Sequence, residues 1–321
     1  MLASVEYVSF SAGGTNGFCF HGVIDAIEMH MGTAVFDAWR RRNIRGVAGC
    51  SAGALAALCF AIGIDREQRQ RLTAAPELSD PRCLVRAPDL GLVMNRFGID
   101  QGAGVRAAVG MILETGGLAP ELTLQDLQRL VGIEFVCVAS NLASGARTLL
   151  SAATHPQMRV VDAVYASSAV PLLYTPYVLD DGTQLVDGCL TESLPHVFDA
   201  PRTLFVCIDH SPPRTAVSSL PEYASALMSF ATRTQRMPAD AAHVVSVPLG
   251  DVIFDFRLTP GRVREIRDAG FAIACDWLQG GVHRRAIARA VVVALLQLRR
   301  HRAVSEEGAR SPPAAAQDDD R

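Results

Sequence analysis

The chemistry available to this chain is concentrated first in five residues, Gly49-Cys50-Ser51-Ala52-Gly53. An apolar run at 44–48, interrupted by Arg45 and Gly46, precedes them, and a strongly helical run at 54–62 follows. A serine set among small residues between a strand and a helix makes a nucleophile elbow. The chain turns sharply there and holds the hydroxyl out at the carboxyl end of a sheet. The helix that starts at this point aims its N-terminal N–H groups and its dipole at the same place, which favours a developing oxyanion. Ser51 is therefore the candidate nucleophile, and Gly49 and Gly53 are the small residues that permit the turn.

A second cluster, Ser11-Ala12-Gly13-Gly14-Thr15-Asn16-Gly17, follows a predicted first strand at 5–10 and leads into a helix over about 18–31. A strand, a glycine-rich turn and a helix build an anion site from backbone N–H groups. Ala12-x-Gly14-x-x-Gly17 loosely fits a dinucleotide fingerprint, which needs an acidic residue at the end of the next strand. That strand ends instead in Gly49-Cys50-Ser51. The other chemistry is an oxyanion hole, in which adjacent strand ends bring the Gly13 and Gly14 N–H groups beside Ser51. A tight loop that glycine merely permits is a third reading. Further on, Asp187-Gly188-Cys189 follows a short strand at 183–186. It offers a carboxylate, although Asp-Gly taken alone is an ordinary turn pair.

The elements that must position these residues alternate between strand and helix. Residues 133–139 form a near-continuous apolar run of the kind buried in a parallel sheet. Residues 148–150 extend a neighbouring strand, and 203–208 and 244–247 read as further strands. Helices are expected around 103–115, with Asp100 as a plausible N-cap, and through 130 from a capping box at Thr123 and Asp126. Others are expected over 160–166, ended by Pro171, and near 224–234, 263–278 and 282–302. Residues 65–88 are polar and proline-punctuated, with short helices or a loop excursion expected. The pattern predicts an α/β fold around a mostly parallel sheet.

Composition narrows the function. The 321 residues are about half apolar and a fifth charged, with a net charge of −3, so a globular protein without a nucleic-acid partner is expected. Every basic residue is arginine, and lysine is absent. Eight scattered cysteines without a C-x-x-C pair read as buried free thiols of a reducing compartment. With no signal-peptide pattern at the N-terminus, a cytoplasmic location is expected. No His, Cys or Asp grouping has metal spacing, and no cofactor is expected.

Four blocks in order resemble the patatin-like phospholipase family: the 12–17 loop, Gly49-Cys50-Ser51-Ala52-Gly53-Ala54, Ala166-Ser167-Ser168-Ala169-Val170-Pro171 with Tyr174 and Pro176, and Asp187-Gly188-Cys189 with Pro195. The likeness is good over about 5–210 and thin beyond. It implies a three-layer α/β/α fold, with a central, mostly parallel sheet and helices on both faces. One acyl-hydrolase domain would span 1–302, with a helical C-terminal part at 263–302 and a disordered tail at 303–321. The implied activity is lipid acyl hydrolysis by a Ser–Asp dyad, with Ser51 as nucleophile and Asp187 as general base. Gly13, Gly14 and Thr15 would form the oxyanion loop, supported by Gly17, Gly49, Gly53 and Gly188.

This sequence departs from the family pattern at Ala12, where glycine is usual, at Asn16, where Arg or Lys is usual, and at Cys189, where Gly or Ala is usual. The implied substrate is a phospholipid or another acyl lipid, met in peripheral contact with a membrane. Phe18, Phe20, Leu172, Leu173, Tyr174 and Tyr177 are candidates to line the acyl channel or touch the bilayer. Two alternatives stay open. One is a non-catalytic lipid- or partner-binding protein on the same fold. The other is a Ser–Asp–His esterase using His196, His210 or His243. These histidines, with His21 and His155, otherwise read as surface or satisfied structural residues.

Overall fold

The computed structural model describes residues 2–86, 88–210, 237–249, 255 and 258–280. The chain opens with β1 (Tyr7–Phe10), a 3-10 turn at Gly14–Gly17, α1 (Phe18–Met31), α2 (Thr33–Asn43), β2 (Gly46–Cys50) and α3 (Ala52–Ile62). An excursion follows as α4 (Arg66–Ala74), α5 (Pro76–Ser79), α6 (Pro81–Leu84), α7 (Leu90–Arg96) and β3 (Gly98–Asp100). Then come α8 (Ala103–Thr115), α9 (Leu124–Val131), β4 (Glu134–Asn141), β5 (Arg147–Leu150) and α10 (Val160–Ser167). The last described elements are β6 (Leu172–Tyr174), β7 (Tyr177–Val178), β8 (Gln184–Asp187), β9 (Thr203–His210), β10 (His243–Leu249) and α11 (Pro260–Leu278). The expected helices at 224–234 and 282–302 and the tail at 303–321 lie outside the described residues.

The main sheet runs β10-β9-β1-β2-β4-β8-β7, with β5 also paired to β4. Its first five strands are parallel, as their two-sided burial requires. Beyond β4 the sheet turns antiparallel, through β8, β7 and β5. The fold is thus the expected α/β class, with helices on both faces of a mixed sheet. β3 and β6 form a separate small parallel pair.

Some local expectations need correction. Gly102, in the left-handed region, caps α8, while Asp100 ends β3 and accepts a 2.6 Å bond from the Gly102 N–H. Thr123 does cap α9, but the Asp126 carboxylate accepts from the Thr123 hydroxyl, so the box is not reciprocal. The helix α2 was not anticipated. It buries Phe36 and Trp39 against Phe60 of α3.

Two helices place the glycine-rich loop. α3 is apolar nearly all round and is buried along most of its length. α1 crosses α11 at backbone contact distance, since a Cβ on Gly22 would lie 1.9 Å from the Arg267 carbonyl oxygen. A Cβ on Gly270 would likewise lie 2.0 Å from the Cys19 carbonyl oxygen. Beside this crossing, Arg69 of α4 is buried between Asp25 and Glu28 of α1, and Arg267 of α11 pairs with Asp25.

Candidate active site

Strand β4 indexes the site. Cys50, the last residue of β2, pairs with Val138, and Asp187, the last residue of β8, pairs with Ala139. The two strands run in opposite directions along the same strand of the sheet, so their carboxyl ends meet at consecutive residues of β4. Residues 136 apart in sequence are thereby brought together, and the Ser51 hydroxyl donates a 2.7 Å hydrogen bond to Asp187 Oδ2.

Each partner is held by local geometry. Ser51 has φ 55 and ψ −124, a strained conformation for a side-chain-bearing residue. The turn closes only because its neighbours lack side chains. A Cβ on Gly49 would lie 2.3 Å from the Gly53 carbonyl oxygen, and one on Gly53 would lie 2.4 Å from that of Ser11. Gly188 has the same need at the other strand end, where a Cβ would sit 2.1 Å from the Val138 carbonyl oxygen. Ser167, at the end of α10, buttresses the elbow. Its hydroxyl accepts from the Ser51 N–H at 3.0 Å and donates to the Val138 carbonyl at 2.6 Å.

Asp187 is buried, and its Oδ1 accepts from the Cys189 N–H at 2.9 Å. Burial pushes its carboxyl above the ordinary aspartate value, and the bonds from the Cys189 amide and the Ser51 hydroxyl oppose that rise. Burial and the Asp187 charge push the thiols of Cys50 and Cys189 far upward, so both stay neutral beside it. All eight cysteines are free, and the substitution at Cys189 leaves its amide in place as a donor.

The glycine-rich loop meets the elbow at Gly17, whose Cβ would lie 2.5 Å from that of Ala52. Gly14, Thr15 and Ala52 line one pocket with Ser51, whereas Gly13 is buried and does not line it. The Gly14 and Ala52 N–H groups make no hydrogen bond among the described residues. Ala52 is an addition to the sequence-derived site, as the first amide of α3. Asn16 is buried, with its N–H bonded to the Gly13 carbonyl at 3.0 Å. Ala12 sits at negative φ, so its methyl adds no strain.

The pocket encloses about 140 Å³. Leu55, Leu78, Leu84, Val85, Val105 and Ala108 make it largely apolar, joined by Phe18, Leu173 and Tyr174. The other channel candidates lie elsewhere. Phe20 is buried against Phe10, Leu172 is exposed, and Tyr177 packs against Tyr165.

His21 is neither a surface residue nor a satisfied one. It sits in the first turns of α1, lines the pocket and leaves Nδ1 without a partner among the described residues. Burial, and then the charges of Arg69 and Arg267, lower its pKa to about 3, so the ring is neutral. His155, His196 and His243 make no hydrogen bond to Asp187 among the described residues. His155 bonds the Thr154 hydroxyl, His196 stacks edge-on to Phe205, and His243 bonds the Ser4 hydroxyl. The His210 side chain lies outside the described residues. No cluster able to hold a metal ion occurs among the described residues.

A sheet covered on both faces, with a strand–serine–helix elbow at its carboxyl edge, is an architecture of serine acyl hydrolases. Sequence comparison narrows this further: the profile of the patatin-like phospholipases matches residues 8–197, and the chain belongs to that family of lipid acyl hydrolases. No curated protein matches it in sequence. Among solved structures it is similar to VipD from Legionella pneumophila, with 15% identity and a TM-score of 0.57 over 87% of this chain and 67% of that one. It is also similar to the type III effector ExoU of Pseudomonas aeruginosa, with 17% identity and a TM-score of 0.46 over 86% of this chain. The chain spans about half of ExoU, 53% of its length.

Proposed function

We propose that the protein hydrolyses carboxylic esters of phospholipids or related acyl lipids with Ser51 and Asp187 as a two-residue machine. The observation that carries this reading is the 2.7 Å bond from the Ser51 hydroxyl to a buried carboxylate beside an apolar pocket. Asp187 takes the Ser51 proton as Oγ attacks the ester carbonyl carbon, and the tetrahedral oxyanion forms facing the Gly14 and Ala52 N–H groups. Collapse breaks the ester bond, and the leaving alcohol takes the proton from Asp187. Water then surrenders a proton to the same carboxylate and attacks the acyl-serine, and as the acyl–Oγ bond breaks Asp187 returns that proton to Ser51, which frees the fatty acid and restores the pair. A dry carboxylate with a raised pKa is a better base than a solvated one, which suits a mechanism that lacks histidine.

The volume of about 140 Å³ is close to the ~150 Å³ apolar cavity that holds a benzene ring, so the pocket has room for part of an acyl chain. We place the protein in a reducing, cytoplasmic compartment, in peripheral contact with membranes.

The test is release of fatty acid from a panel of phospholipids and neutral lipids. Ser51→Ala and Asp187→Asn should each abolish release while leaving the fold intact. The double variant should be little worse than either single one, because the two residues act as a unit. Asp187 must be ionised to accept the proton, so kcat/KM should rise with pH through a limb above the ordinary aspartate value of 3.8. Wild-type turnover in Ser51→Ala would overturn the reading. Lipid binding without release of any acid would favour a non-catalytic binding protein.

A further inference from the structure

We propose that a ridge of exposed apolar side chains beside the pocket, formed by Leu90, Met94, Phe97 and Leu172, is the face that docks on an anionic lipid surface. Their relative exposures are 80%, 82%, 54% and 67%, while α7 itself buries none of its residues. Leu90, Met94 and Phe97 recur at i, i+4 and i+7, the spacing of a core-facing stripe, yet this stripe faces solvent. Leu172 joins them through the β3–β6 pair, in which it sits opposite Gly98, the neighbour of Phe97.

Core packing does not account for these residues. Phe97 and Leu172 hold φ of 61 and 69, where glycine would sit without strain and a bulky side chain is an outlier. Two strained positions thus carry large apolar side chains outward. Contiguous apolar surface of this kind marks an interaction site.

Place and charge choose the occupant. Leu173 and Tyr174, next along the chain from Leu172, line the pocket, and so do Leu84 and Val85, which precede α7. A chain leaving a bilayer under this ridge would have a short path to Ser51. Arg86 and Arg96 flank the stripe, exposed and without a carboxylate partner among the described residues. The nearby carboxylates are engaged: Asp80 with Arg82, Asp89 with the Gly91 N–H and Asp100 with the Gly102 N–H. Apolar side chains bordered by unneutralised arginines fit an anionic leaflet better than a second copy of the same basic ridge.

The proposal rests on the reading of the pocket as an acyl-lipid site, and its readout is binding, so the two can fail separately. Full-length Ser51→Ala protein is sedimented with phosphatidylcholine vesicles, with and without phosphatidylglycerol. Leu90→Gln with Met94→Gln and Phe97→Gln should lower partitioning onto the anionic vesicles by about tenfold or more. Made in the active enzyme, the same changes should leave hydrolysis of a soluble butyrate ester unchanged. Arg86→Gln with Arg96→Gln should remove the preference for anionic vesicles. Hydrogen exchange on the unsubstituted ridge gives a reading that does not depend on folding of the variants: residues 88–97 should gain protection when vesicles are added. Unaltered sedimentation of the triple variant would overturn the proposal. So would full protection of 88–97 before vesicles are added, or a dimer that the triple variant converts to monomer without any effect on vesicles.

Discussion

Ser167 shows how one hydroxyl can govern another. It ties the Ser51 amide to the carbonyl of Val138, so the strained elbow is braced by a group that does not line the pocket. Removing it strands a buried donor and a buried acceptor, at about 1–3 kcal/mol for each unsatisfied group. We expect Ser167→Ala to lower kcat about 10²-fold with KM nearly unchanged, because small misplacements of a nucleophile are costly. Ser167→Cys, with its weaker hydrogen bonds, should fall between. Equal losses in kcat and in thermal stability across both variants would mark a purely structural role. Sequence alone gave Ser51 a legible setting, because a strained turn demands small neighbours that spell a motif. Ser167 was visible only as part of a family-like block, since nothing local says that its hydroxyl faces a strand 29 residues away. The setting of His21 is hidden in the sequence for a similar reason. A histidine in an apolar helix has the same local pattern whether its ring meets a neighbour or a pocket.

At the scale of elements, β4 is the part that matters most. Consecutive residues of that strand receive the ends of β2 and β8, which fixes the separation of Ser51 and Asp187 by sheet geometry. The arrangement depends on Gly188, where any side chain would strike the backbone of β4. Gly188→Ala should therefore displace Asp187, lengthen its bond to Ser51 and reduce kcat/KM by about 10²-fold or more. A crystal structure of the variant, beside its kinetics, would check this, and wild-type activity would show that β4 yields. The parallel half of the sheet was legible from its apolar runs. In the antiparallel half the strands near 148–150 and 183–186 are legible but their direction is not, because it is set by pairing across the sheet, and β7 is only two residues long. Asp187-Gly188 has the same local pattern as an ordinary turn, and only the pairing of β8 with β4 brings its carboxylate to Ser51.

Across the whole molecule, the loop that faces Ser51 is anchored far along the chain. α1 leans on α11, which lies beyond the residues shared with the family profile, and a buried ionic cluster pins α4 to both. Breaking one member of such a cluster leaves unpaired buried charge, so Arg69→Met should destabilise the protein by about 3–5 kcal/mol. Chemical denaturation would measure it, and a loss under 1 kcal/mol would show that Asp25 and Glu28 find other partners or take up protons. β4 also implies a division of labour. The proposed reacting pair, Ser51 and Asp187, is registered on the sheet, whereas Leu78, Leu84 and Val85 of the pocket wall come from the chain excursion between α3 and β4. Nothing in the register of β2 or β8 depends on the length of that excursion. Reactivity and selectivity are therefore separately heritable. A lineage could lengthen, shorten or exchange the excursion, and so change what the pocket accepts, while Ser51 and Asp187 kept their spacing.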